Sequence, residues 1–84
     1  PPGAWEALTP ERLALSAEVR QVFDRALDDL PERQRAVVVL RDVEGLGSDE
    51  VCNVLEISET NQRVLLHRAR ARLREALAGL LERS

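Results

Sequence analysis

Tyrosine is absent from this 84-residue chain, and tryptophan and phenylalanine occur once each. Without a set of exposed rings there is no platform on which unpaired bases could stack, which argues against RNA or single-strand binding of the stacking kind. Cysteine also occurs once, as Cys52. No internal disulfide and no cysteine cluster for zinc can form, and its place on the apolar side of a short helical stretch reads as a small buried packing residue. The longest aliphatic run, Val37 to Leu40, is far too short to span a membrane. No signal peptide is visible, so a cytoplasmic protein with no membrane insertion is expected. The chain opens Pro1-Pro2-Gly3 without an initiating methionine and reads as a fragment of something longer. Lysine is missing, but codon bias explains an all-arginine set of cations as readily as function does. No nucleophile, proton shuttle or phosphate-cradling glycine loop accompanies the carboxylates at Asp24, Asp28 and Asp29. They read as a solvated face, and neither an enzyme nor a cofactor is expected.

Hydrophobic residues make up 44% of the chain, enough for one small domain with one modest core. Strand-like alternation is lacking, and the glycines and prolines fall mostly between apolar runs of helical period. The expected fold is therefore all-α, a small four-helix domain. Net charge is −3, which alone counts against nucleic acid. Its distribution matters more than its sum. Residues 1–62 hold six arginines and thirteen acids, whereas residues 63–84 hold six arginines and two acids, balances of −7 and +4. Five of those arginines lie between Arg63 and Arg74 with no acid among them. Basic charge is focused on one helix while the rest repels phosphate, so the module should bind DNA weakly alone and need a larger assembly.

In chain order, residues 1–9 read as a linker or flexible end, in which Trp5 and Leu8 could dock or stay free. Thr9-Pro10-Glu11 has the makings of a helix start: an N-cap, a proline in the first turn and an acid. Apolar residues from Leu13 to Leu30 then place one helix over about 10–28. Pro31 disfavours helical geometry at Leu30 and begins a second helix, about 31–43, with Ala36, Val37, Leu40 and Val43 facing inward. Val38 and Val39 make that helix nearly apolar all round, so it should be the central and most buried one. Gly45-Leu46-Gly47 breaks it, with Leu46 plugging the core. Ser48 is read as the cap of a third helix that buries Val51, Val54 and Leu55. Ile57 anchors a turn, and Ser58 caps a fourth helix running to about 81. The domain is thus placed at 10–81.

Within it, 48–74 has the layout of a helix-turn-helix whose second helix enters DNA. At about 100° per residue, Gln62, Leu65, Leu66, Ala69 and Leu73 fall on one side of the last helix. Thr60, Arg63, Val64, His67, Arg68 and Ala71 fall on the other, flanked by Arg70 and Arg72. An apolar back and a donor-rich front suit a major groove, where arginine can pair with guanine and a methyl-sized group can touch thymine. Arg63 and Arg68 are the candidate base or phosphate contacts. Arg70, Arg72 and Arg74 are divided between phosphate and acidic partners such as Glu75. His67 is a surface residue first and a DNA contact second, since no partner ligand stands at a metal-binding spacing. Ser48 could meet a phosphate through its helix terminus.

Leu30-Pro31-Glu32-Arg33-Gln34-Arg35, Arg41-Asp42-Val43-Glu44-Gly45-Leu46, Leu55-Glu56-Ile57-Ser58 and the run from Leu66 to Arg74 resemble, in order and spacing, the C-terminal promoter-binding domain of bacterial sigma factors, in particular the extracytoplasmic-function subgroup. The resemblance covers roughly 17–77. It implies a four-helix domain that recognises the −35 element of double-stranded promoter DNA as part of RNA polymerase holoenzyme, with core polymerase as a partner. It also implies contacts at Thr60, Asn61, Arg63, Val64, His67 and Arg68, and inhibition by an anti-sigma factor that covers the domain. Two functional classes follow, a sequence-specific DNA-binding module and a protein-interaction module; the helix-turn-helix of another transcription regulator fits the motifs less well. Departures from the family are expected to matter. Glu56 stands where glycine is common, so a less tight turn is expected. Gln62 occupies a core phase, so its amide should reach the rim or a backbone partner. Leu65 replaces a cation.

Overall fold

A computed structural model describes residues 17–83, with side chains described through Leu80. The expected linker at 1–9, the helix start at Thr9-Pro10-Glu11 and the stretch up to Ser16 lie outside the described residues. Within them every regular element is helical: α1 (Ala17–Asp29), α2 (Glu32–Val38) prolonged by a π-helical turn (Val39–Val43), α3 (Ser48–Leu55) and α4 (Glu59–Arg83).

Apolar residues at three- and four-residue steps make α1 amphipathic, and Phe23 and Leu30 are buried by it. Pro31 ends the run by holding an extended backbone (φ −53, ψ 143) and stands as the N-cap of α2, one position earlier than a first helical residue. Arg35 donates to the Asp28 carbonyl at 3.3 Å, tying the two helix ends together.

The second helix is buried as its composition suggests, since no residue from Gln34 to Asp42 is exposed. Its inward face differs from the expected one. Val37 and Val38 are sealed, while Val43 is 42% exposed. The reason is the π-helical turn: a wider repeat over Val39–Val43 rotates the last residues away from the phase that a regular helix would give them. Nor is α2 the hub. The long α4 packs against α1, α2 and α3, and its Leu66, Ala69, Leu73 and Leu77 complete one continuous core with Phe23, Leu30, Val37, Val38 and Val51. Leu46 packs against that core from the loop, as expected.

In α3, Val51 is fully buried and Leu55 partly so, whereas Val54, expected inside, is 61% exposed. An eight-residue helix shows the core only a narrow stripe, and Val51 and Leu55 occupy it. Cys52 is half-buried rather than fully enclosed. Its thiol remains unpaired.

The link to α4 is tight despite lacking glycine. Glu56 adopts the left-handed conformation (φ 54, ψ 50), and the Ile57 N–H donates to the Cys52 carbonyl at 3.1 Å. The expected loosening does not occur, because packing of Ile57 holds the turn while Glu56 bears the steric cost. Replacing Glu56 by glycine should therefore stabilise the domain by about 0.5–1 kcal/mol, less than the strain relieved because glycine loses more chain entropy. Urea unfolding would register this as a higher midpoint at constant slope. A lower midpoint would show that Glu56 makes compensating interactions.

Candidate nucleic-acid interface

The face on α4 is built by its other side. Gln62, Leu66, Ala69 and Leu73 are buried, which leaves Thr60, Arg63, Val64, His67 and Arg68 exposed on the outward surface. From Thr60 to Ala71 this face runs about three turns, or some 16 Å of helix. Arg63, Val64, His67 and Arg68 together line an open depression, and Val64 is 41% exposed among the donors. Asn61 is half-buried at the start of the face, Ala71 is half-buried at its far end, and Arg72 is exposed on its flank. The surface therefore combines cationic forks, one imidazole and small apolar groups on a rigid rod.

The start of the rod is fixed by side chains. Ser58 Oγ accepts the Asn61 backbone N–H at 3.0 Å, the N-cap expected of it. Ser48 behaves differently from expectation. Gly47 is the N-cap of α3, and Ser48 is its first helical residue. Gly47 N–H donates to Glu50 Oε1 at 3.1 Å, half of a capping box. Ser48 Oγ, relieved of capping, donates to the Glu59 carboxylate (3.1 Å to each oxygen) and accepts Gln62 Nε2 at 2.6 Å. The hydroxyl thus joins the two helices of the motif and is turned toward α4. Gln62 meets its expectation in part. It is buried, and its amide finds a side-chain hydroxyl rather than the rim or the backbone, while Oε1 has no partner.

Arg70 is positioned by a structural pair. Its Nε and Nη2 donate to Asp42 Oδ2 and Oδ1 at 2.8 and 2.7 Å. The side chains are 32% and 11% exposed, so this fork-to-fork pair is partly desolvated. The two donors that a DNA contact would use are engaged by a residue 28 positions away on the π-helical turn. Nothing local in the sequence signals this partner. Arg63 Nη2 lies 3.5 Å from Glu59 Oε1, with the side chains 75% and 51% exposed. That pair was not among the expected contacts, although glutamate four residues before arginine, the favoured helical order, is a signal that points to it. Among the described residues no group of His, Cys, Asp and Glu is placed to hold a metal, and no helix is long and apolar enough to cross a membrane.

A short helix joined by a tight turn to a longer one, the second sealing the core with one side and presenting donors with the other, defines a helix-turn-helix domain. Residues 20–73 match the family model described as Sigma-70, region 4. The chain belongs to this family. It is 32% identical over 78 residues to the ECF RNA polymerase sigma-E factor of Escherichia coli (strain K12), covering 93% of this chain and 41% of that protein. The sigma-E factor of Salmonella typhi is similar to the same extent. The ECF RNA polymerase sigma factor SigE of Mycolicibacterium smegmatis is 38% identical over 69 residues, covering 82% of this chain and 27% of that protein. The chain therefore spans less than half the length of these curated relatives. No solved structure matches it.

Proposed function

We propose that this domain recognises the −35 element of promoter DNA as part of RNA polymerase holoenzyme in the cytoplasm, so directing transcription initiation. The observation that carries the reading is the division of α4: Leu66, Ala69 and Leu73 closed into the core, Arg63, His67 and Arg68 open on the reverse. A helix so divided can enter a major groove without uncovering the core. Arg63 and Arg68 supply forks for guanine edges or phosphates, Val64 a methyl contact, and Thr60, Asn61 and His67 shorter donors and acceptors. Arg72 flanks the face as a phosphate contact. Arg70 serves the fold first, through Asp42. The acidic balance of residues 1–62 repels DNA, so core polymerase supplies the remaining affinity.

Footprinting by the full-length protein with core polymerase on a promoter tests this. Arg63→Ala or Arg68→Ala should weaken protection of the −35 region by about 1–3 kcal/mol and relax choice at one base pair. Equal losses on specific and random duplexes would reduce these residues to phosphate contacts. Unaltered protection would remove α4 from the interface.

A second occupant of the domain is a protein. Val54 and Val43 are 61% and 42% exposed away from the core, apolar groups suited to a partner such as core polymerase or an anti-sigma factor. A partner that co-purifies and competes with DNA would support this reading. A pull-down returning only polymerase would count against the inhibitor.

A further inference from the structure

The start of the recognition helix carries an acid that the reading above does not use. Glu59 is the first residue of α4, and its carboxylate has two partners on different elements. From α3, Ser48 Oγ donates to it with 3.1 Å to each oxygen. From its own helix, Arg63 Nη2 approaches Oε1 at 3.5 Å. The serine is itself oriented, because Gln62 Nε2 donates to its oxygen at 2.6 Å and leaves the hydroxyl proton for the carboxylate. The arrangement is a relay: buried Gln62 sets Ser48, Ser48 sets Glu59, and Glu59 holds Arg63.

We infer that Glu59, fixed by Ser48, is a specificity-determining positioning residue that makes Arg63 exchange a carboxylate for its DNA acceptor. This rests on the proposal that α4 enters promoter DNA. The physical argument has three parts. The pair is exposed (75% and 51%), so its net strength is small and DNA can displace it. While paired, the carboxylate offsets the charge of the Arg63 guanidinium, and so lessens its attachment to DNA backbone. Arg63 is meanwhile kept near one orientation, so less side-chain freedom is lost when a base edge replaces the carboxylate. Backbone binding, which carries no sequence information, is penalised more than base pairing with its fixed geometry.

The test uses the full-length protein with core RNA polymerase and two labelled duplexes. One is enriched from a randomised pool by the wild-type holoenzyme, and the other is the unenriched pool. Binding is titrated between about 50 and 200 mM salt. Glu59→Gln keeps an oxygen that can accept the Ser48 proton and removes only the charge. It should strengthen binding to the unenriched duplex about three- to fivefold and to the enriched duplex less, so the specificity ratio falls. It should also steepen the salt slope on the unenriched duplex by about 0.9, as one further phosphate becomes contacted. In an Arg63→Ala background the same substitution should lose most of both effects. Unchanged ratio and slope would overturn the inference and leave Glu59 a first-turn acid. Effects of equal size with Arg63 absent would also overturn it, because Glu59 would then repel phosphate directly. If Arg63→Ala binds both duplexes as the wild type does, the proposed role of Arg63 fails and the inference with it, an outcome distinct from failure at Glu59 alone. Should Glu59→Gln prove unfolded by its melting curve, Ser48→Ala provides the second arm. It releases the carboxylate without removing charge, and should lower the ratio at wild-type salt slope; an unchanged ratio there overturns the relay.

Discussion

Replacing Leu73 by alanine should remove a large share of the stability of the domain. Leu73 is fully buried on α4, the helix that packs against each of the other three. Truncation removes the transfer free energy of three carbons and leaves a cavity, at a cost of about 4 kcal/mol. Rigid helices on all sides cannot collapse into that space. A chain of this size has a total stability of about 4–12 kcal/mol, so a single such loss consumes a large share of it. The measurement is urea unfolding followed by helical circular dichroism, with a midpoint far below that of the wild type. An equivalent truncation at Val64, which is 41% exposed on the opposite side, should cost little stability. Similar losses at both positions would contradict the division of α4 into a sealing back and an open front.

Removing the Asp42 carboxylate should destabilise the domain by about 3 kcal/mol, an effect larger than its place in a loop-facing turn suggests. The carboxylate is 11% exposed and takes two short hydrogen bonds from Arg70, itself 32% exposed. Asp42→Ala leaves a partly desolvated guanidinium without that acceptor pair, and most of the cost is that orphaned charge. Partial exposure of the arginine sets the figure at the low end of what a fully buried pair would lose. The pair also tethers the π-helical turn to α4, and the residues that follow lead directly into α3. The double variant Asp42→Ala with Arg70→Met should recover part of the loss, and the four stabilities together give the coupling. Arg70→Met alone should lower stability while leaving the salt slope of DNA binding near the wild-type value, because an arginine engaged by Asp42 releases no counterion from DNA. A slope reduced by about 0.9 would return Arg70 to the phosphate contacts.

These two residues mark where sequence reasoning reaches and where it stops. Leu73 was legible because helical period repeats every few residues and its apolar positions fall into register over a long run. The same phase that placed Leu66, Ala69 and Leu73 inside placed Arg63, Val64, His67 and Arg68 outside. Local chemistry likewise marked the Ser58 cap and the break at Leu30-Pro31. Arg70 was divided between DNA and an acid by the same reasoning, since phase puts it beside the recognition face, and only the approach of the π-helical turn engages it with Asp42. Val43 and Val54 were placed inside from hydrophobicity and period. One was rotated out by the widened turn, and the other lies on a helix too short to bury a second stripe. Ser48 looked like a cap because serine at a helix start usually is one. Gly47 took that position, and the hydroxyl became the joint between the two motif helices.

The amino-acid order alone determined the helical class, the breaks between helices and the two sides of α4, because each depends on residues within a turn or two of one another. Tertiary structure decided which arginine is held by the fold and which hydroxyl links α3 to α4. Those outcomes depend on groups far apart in the chain being brought within about 3 Å, and a hydrogen bond is short and directional. Periodicity carries no information about such meetings until the helices have packed.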